Sequence, residues 1–183
     1  MLSEVQEKKL RHFFFVMDDD HNHILQPDDF TSVAEKISDI LGYSEDSARR
    51  LQLHVRSYRL FIQLLADIGK EETNITMDEW LSLFDRILHG KSTFIKNYVY
   101  RTASYIFSLF DQDNNRYIDK KEYQDMFKVY DIDMSHLDYG FEKLDVNGDG
   151  QLSKNEIIKG MTDFFLSSDE DAPGNWIFGD WTK

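Results

Sequence analysis

Twelve residues near the C-terminal end could wrap a hard cation. They read Asp145-Val-Asn147-Gly-Asp149-Gly150-Gln151-Leu152-Ser153-Lys-Asn-Glu156. Side-chain oxygens fall at positions 1, 3 and 5 (Asp145, Asn147, Asp149), at 9 (Ser153) and at 12 (Glu156). The backbone carbonyl of Gln151 stands at position 7. Calcium takes six to eight such oxygens at about 2.3–2.6 Å, with a bidentate carboxylate at the end of the loop. Gly150, at position 6, permits the sharp turn that brings both ends of the loop to one ion.

The frame is that of an EF-hand calcium loop, and it recurs. Asp111-Gln-Asp113-Asn-Asn115-Arg116-Tyr117-Ile118-Asp119-Lys-Lys-Glu122 starts 34 residues earlier, a spacing that lets the two loops pair. Its ligands are Asp111, Asp113, Asn115, the Tyr117 carbonyl, Asp119 and Glu122. Arg116 replaces glycine, so about 1 kcal/mol or more of backbone strain is expected there. A third copy, Asp18-Asp-Asp20-His-Asn22-His23-Ile24-Leu25-Gln26-Pro-Asp-Asp29, offers Asp18, Asp20, Asn22, the Ile24 carbonyl, Gln26 and Asp29. His23 stands at the glycine position, and Asp29 reaches less far than the usual Glu. Fewer ligand oxygens shift preference toward Mg²⁺, so this loop is read as a Ca²⁺ or Mg²⁺ site.

A fourth frame over 68–79 keeps Ile75 at position 8 and Glu79 at position 12. Ile68 and Lys70 hold positions 1 and 3, and neither ligates a cation. This loop is expected to be structural, with Ile75 pairing against Leu25.

Helices must position these loops. Leu10, Phe13, Phe14 and Met17 follow the i, i+3, i+4, i+7 stripe of a buried helix face, and Ser3 with Gln6 has capping-box spacing ahead of it. The stripe stops at the acidic run from Asp18 and resumes at Phe30, Val33, Ala34 and Ile37. The expected fold is all-α: four EF-hands in two paired lobes, residues 1–89 and 90–183, with short β-ribbons between loops. The chain of 183 residues is 41% hydrophobic and 14% aromatic, enough for a core. Its net charge of −13 suits cations and disfavours nucleic acid. Without cysteine there is no disulfide scaffold, thiolate metal site or cysteine nucleophile. No apolar run is long enough to span a bilayer, and no secretory signal is seen, so a cytoplasmic monomer is expected.

The long step from loop 1 to loop 2 (18 to 68), the degenerate second loop and the aromatic tail Ala172-Pro-Gly-Asn-Trp176-Ile-Phe178-Gly-Asp-Trp181 resemble the invertebrate sarcoplasmic calcium-binding proteins and the related calexcitins. That resemblance implies a compact protein whose tail (172–183) packs back onto the body, and a Ca²⁺ buffer as the function. A calexcitin-like switch acting on a protein partner is the first alternative. Insect juvenile hormone diol kinases resemble the same family, which makes a phosphotransferase the second. Gly90-Lys91-Ser92-Thr93 echoes the end of a phosphate-binding loop, but Asp85 stands where its first glycine belongs.

Overall fold

A computed structural model describes residues 1–90 and 92–183, with side chains outside 91–96. The Gly90-Lys91-Ser92-Thr93 tetrapeptide therefore lies largely outside the described residues. Helix α1 (Glu4–Met17) opens on the expected capping box: Ser3 Oγ accepts from Gln6 N at 3.2 Å, and Gln6 Oε1 accepts from Ser3 N at 2.9 Å. Strand β1 (Ile24–Leu25) and helix α2 (Pro27–Ile40) follow. Pro27, in the first turn of α2, costs no hydrogen bond there. Helix α3 (Ala48–Ile68) is capped by Ser47 and ended by Gly69 at φ 80°, a left-handed conformation that glycine adopts without strain.

Then come β2 (Ile75–Thr76), α4 (Met77–His89), α5 (Ser92–Phe110), β3 (Tyr117–Asp119), α6 (Lys120–Val129), α7 (Leu137–Leu144), β4 (Gln151–Ser153) and α8 (Lys154–Leu166). The four strands make two antiparallel ribbons. In β1–β2, Leu25 faces Ile75; in β3–β4, Ile118 faces Leu152. These four residues hold position 8 of their loops, and all are fully buried. Burying them ties each loop to its neighbour.

The core is aromatic. Phe13 sits at its middle, with ring centroids 4.4 Å from Phe178, 5.3 Å from Phe165, 5.9 Å from Phe164 and 6.1 Å from Trp80. One side chain of α1 thus touches α4, α8 and the tail. The indole of Trp80 donates to Leu10 O at 2.9 Å, so its one polar atom is satisfied inside.

The tail is a docked strip of this core. Ile177, Phe178 and Trp181 are buried, and Tyr123 Oη donates to Ile177 O at 3.0 Å. A feature absent from the sequence reading holds it: the buried ammonium of Lys9. It donates to Asn175 Oδ1 at 2.6 Å, Ser167 O at 2.9 Å and Asp163 O at 3.0 Å. Three donors meet three acceptors, which lets a charge stay inside. Burial nevertheless pulls its pKa down to about 8.

The tail approaches α8 through two glycines. A Cβ on Gly174 would stand 2.1 Å from Gly160 O and 2.6 Å from Gly160 Cα. Both are backbone atoms and cannot swing aside. Gly174→Ala is therefore expected to loosen the tail and cost about 2–3 kcal/mol. Denaturant unfolding followed by tryptophan emission measures this; wild-type stability would show that the tail docks without the glycine contact.

Candidate metal centres

Each ligand-bearing loop is closed by the carboxylate at its last position. Asp29 accepts from Asp19 N (3.1 Å) and Gln26 N (2.7 Å). Glu122 accepts from Gln112 N (2.8 Å) and Asp119 N (3.0 Å). Glu156 accepts from Val146 N (3.1 Å) and Ser153 N (2.8 Å). In every case the donors are loop positions 2 and 9. The residue at position 9 also caps the exit helix: Asp119 Oδ1 takes Glu122 N at 2.8 Å, and Ser153 Oγ takes Glu156 N at 3.3 Å. Loop closure and helix initiation are one hydrogen-bonded unit.

In loop 1 the carboxylate oxygens of Asp18, Asp20 and Asp29 gather within 4.8 Å of one another. Asp18 also takes Asn22 N at 3.2 Å and His23 N at 2.9 Å. Asn22 Oδ1 accepts from Ile24 N at 2.8 Å, and Gln26 Oε1 from Asn22 Nδ2 at 3.3 Å. Asp19, not one of the expected ligands, is drawn outward to Ser32 and Lys36. Burial raises the Asp29 pKa, and the Asp20 and Asp18 charges add to this.

In loop 3 the oxygens of Asp111, Asp113 and Glu122 gather in the same way. Asp111 Oδ1 is buried with no hydrogen-bond partner. A buried carboxylate oxygen without a donor is costly, and a cation removes that cost. Burial also raises the pKa of Glu122, reinforced by the Asp119 charge. Asn115 Oδ1 accepts from Tyr117 N at 2.8 Å, leaving the Tyr117 carbonyl in strand β3.

Loop 4, the most regular in sequence, carries Asn147 at position 3, where loops 1 and 3 carry Asp20 and Asp113. Asp145 is engaged by Gly148 N, Asp149 N and Gly150 N at 2.8–3.2 Å, and Asp149 by Gln151 N at 3.0 Å. Asn147 Oδ1 accepts from Asp149 N at 2.9 Å. The structure brings three carboxylates close together in loop 1 (Asp18, Asp20, Asp29) and in loop 3 (Asp111, Asp113, Glu122). These oxygen-only donor sets fit a hard divalent cation. The residues holding it in each loop would be those at positions 1, 3, 5, 7, 9 and 12.

The strain expected at position 6 is present, and position 4 shares it. His21 and His23 in loop 1 have φ 56° and 67°; Asn114 and Arg116 in loop 3 have φ 58° and 74°. Loop 4 uses Gly148 and Gly150 at φ 69° and 81°. Left-handed backbone costs a side-chain-bearing residue about 1–2 kcal/mol, with Asn paying least.

Loop 2 has no ligand at positions 1 or 3. Its Glu79 keeps the bond from position 9, Thr76 N, at 2.9 Å. The place of the position-2 N–H is taken by Lys70 Nζ, 2.7 and 2.8 Å from the two Glu79 oxygens and 2.8 Å from Asn74 Oδ1. In the sequence pattern Lys70 is only a non-ligand at position 3. The available signal was a lysine at position 3 opposite an intact position-12 glutamate.

Residues 101–162 match the model of the EF-hand domain pair. No curated protein matches the chain by sequence. Among solved structures, the calcium-loaded apo form of coelenterazine-binding protein from Renilla muelleri superposes with a TM-score of 0.78 at 20% identity, covering 98% of this chain and 99% of that one. A sarcoplasmic calcium-binding protein from amphioxus gives 0.76 at 16% identity over 98% and 99%. Calcium-loaded apo-aequorin from Aequorea victoria gives 0.68 at 17% identity over 92% and 94%. The chain has the fold of these compact EF-hand proteins, and its EF-hand pair supports a calcium-binding role. No described helix is long and apolar enough to cross a membrane.

Glu156→Gln is expected to remove one bound Ca²⁺ with the helical circular dichroism unchanged; unaltered stoichiometry by calorimetry would refute the ligand assignment. Arg116→Gly relieves about 1–2 kcal/mol of strain against about 0.5–1 kcal/mol of added chain entropy. Thermal unfolding should show a net gain of about 0.5–1 kcal/mol, and a loss would mean that Arg116 makes contacts that outweigh its strain.

Proposed function

We propose that this chain is a cytoplasmic calcium buffer with three working loops, 18–29, 111–122 and 145–156, the first open to Mg²⁺ as well as Ca²⁺. The seated tail carries this reading. A sensor opens a Met-rich groove on binding Ca²⁺. Here the space between helices is filled by Phe178, Ile177 and Trp181, and Met126 and Met161 are buried. Opening would have to expel the tail, break the three Lys9 bonds and separate Gly160 from Gly174. A closed body that takes up ions without exposing apolar surface is what buffering requires.

Two other readings fit less well. Coelenterazine-binding protein is named for an organic guest. In this chain the cavity lined by Phe13, Phe30, Leu64, Tyr105, Ile106 and Tyr130 measures about 40 Å³. Organic-ligand pockets are about 300–1,000 Å³, so this one is too small for such a guest. A diol kinase reading rests mainly on the family resemblance, and the Gly90 tetrapeptide adds little to it. Helix α4, ending at His89, precedes Gly90, whereas a phosphate-binding loop follows a strand.

The test is a Ca²⁺ titration of chelator-stripped protein with a dye that reports apolar surface. Unchanged or falling emission is expected. A clear rise would overturn the buffer and favour a switch acting on a protein partner.

A further inference from the structure

Loop 2 has lost its metal ligands but not its geometry. Glu79 Oε2 accepts from Thr76 N at 2.9 Å and Thr76 Oγ1 at 3.0 Å. Glu156 Oε2 makes the same pair of bonds to Ser153, at 2.8 and 2.7 Å. The exit helix α4 therefore starts as α8 does. What differs is the group facing the carboxylate from the loop's entry side. In loops 1, 3 and 4 it is a backbone N–H; in loop 2 it is the Lys70 ammonium.

That ammonium is well matched. It has three donors, and three oxygens surround it: both of Glu79 and Oδ1 of Asn74. The Lys70 side chain is only 14% exposed. Its hydrogen bond, followed by that from Thr76 N, holds the Glu79 carboxyl below the usual range.

We propose that Lys70 is the resident cation of loop 2. Tethered to the chain, it does within the loop what a divalent ion does elsewhere, joining the entry of the loop to the carboxylate that starts the exit helix. A tethered charge never dissociates into solution, so its occupancy does not depend on calcium concentration.

The consequence falls on loop 1. Ile75 and Thr76 of β2 pair with Leu25 and Ile24 of β1. Ile24 is position 7 of loop 1, and Gln26, position 9, follows directly. A β2 held by Lys70 thus presets two of the ligand positions of loop 1. Loop 1 binds as a single site beside a partner that never empties. Loops 3 and 4 are joined through β3–β4 and fill as an interacting pair.

This rests on the three-site reading, and the experiment separates the two. The probe is Ca²⁺ alone, followed by backbone NMR signals of each loop, with amide exchange of Leu25 and Ile75 measured in chelator. Wild type should keep both amides protected without Ca²⁺. Lys70→Met should lose that protection and bind Ca²⁺ at loop 1 about tenfold more weakly, with loops 3 and 4 unchanged. Ile68→Asp combined with Lys70→Asp replaces the resident cation by ligands; it should bind four ions and protect the ribbon only with Ca²⁺. This second variant reports even where Lys70→Met fails to fold. Wild-type protection and loop-1 affinity in Lys70→Met would overturn the proposal, as would a double variant whose ribbon stays protected in chelator. A wild type that binds two ions, with a ribbon that still depends on Lys70, would instead sink the three-site reading alone.

Discussion

At the last position of every loop a carboxylate reaches back across the turn to bind N–H groups of its own chain. Asp29, Glu122 and Glu156 each hold loop positions 2 and 9 together, and Glu79 holds position 9 while Lys70 replaces position 2. Position 9 caps the helix that follows in three of these loops through a hydroxyl or carboxylate of Thr76, Asp119 or Ser153. One negatively charged group therefore sets the turn, the start of the exit helix and the register of the ribbon. The same group is the bidentate calcium ligand of an EF-hand. With that carboxylate as the ligand, folding and ion capture would draw on one group.

The cost of that arrangement is charge repulsion. Loops 1 and 3 each bring three carboxylates together, and burial raises the pKa of Asp29 and Glu122. The carboxylates sit in the loops, outside an apolar core. Phe13 at the centre joins helices from both halves of the chain to the tail. Lys9 and the Gly160–Gly174 approach fix the tail over that centre. On the proposed buffer reading, filling the loops would relieve this repulsion while the aromatic centre stays closed.

Much of this was legible in the residues. Position 8 of each loop was recognisable as a buried ribbon residue, and Leu25–Ile75 and Ile118–Leu152 pair accordingly. Ser3 and Gln6 form the box their spacing announced. Arg116 and His23 adopt the left-handed backbone that glycine would have occupied. Strain at position 4 passed unnoticed, because Asn114 and His21 carry no warning without the backbone trace. Lys9 gave no signal either: on a helix rich in Glu and Lys it reads as one more solvent-facing charge.

The loop frames are local, each written within twelve residues, and the sequence by itself determined them and which position-8 residues would pair. The tertiary structure decided what depends on residues far apart in the chain. It brought Asn175 to Lys9 across 166 positions and Phe178 against Phe13. Whether Lys70 points into its loop or into water is likewise a question of burial and side-chain direction. A frame of residue types records which groups are available; only packing records which of them meet.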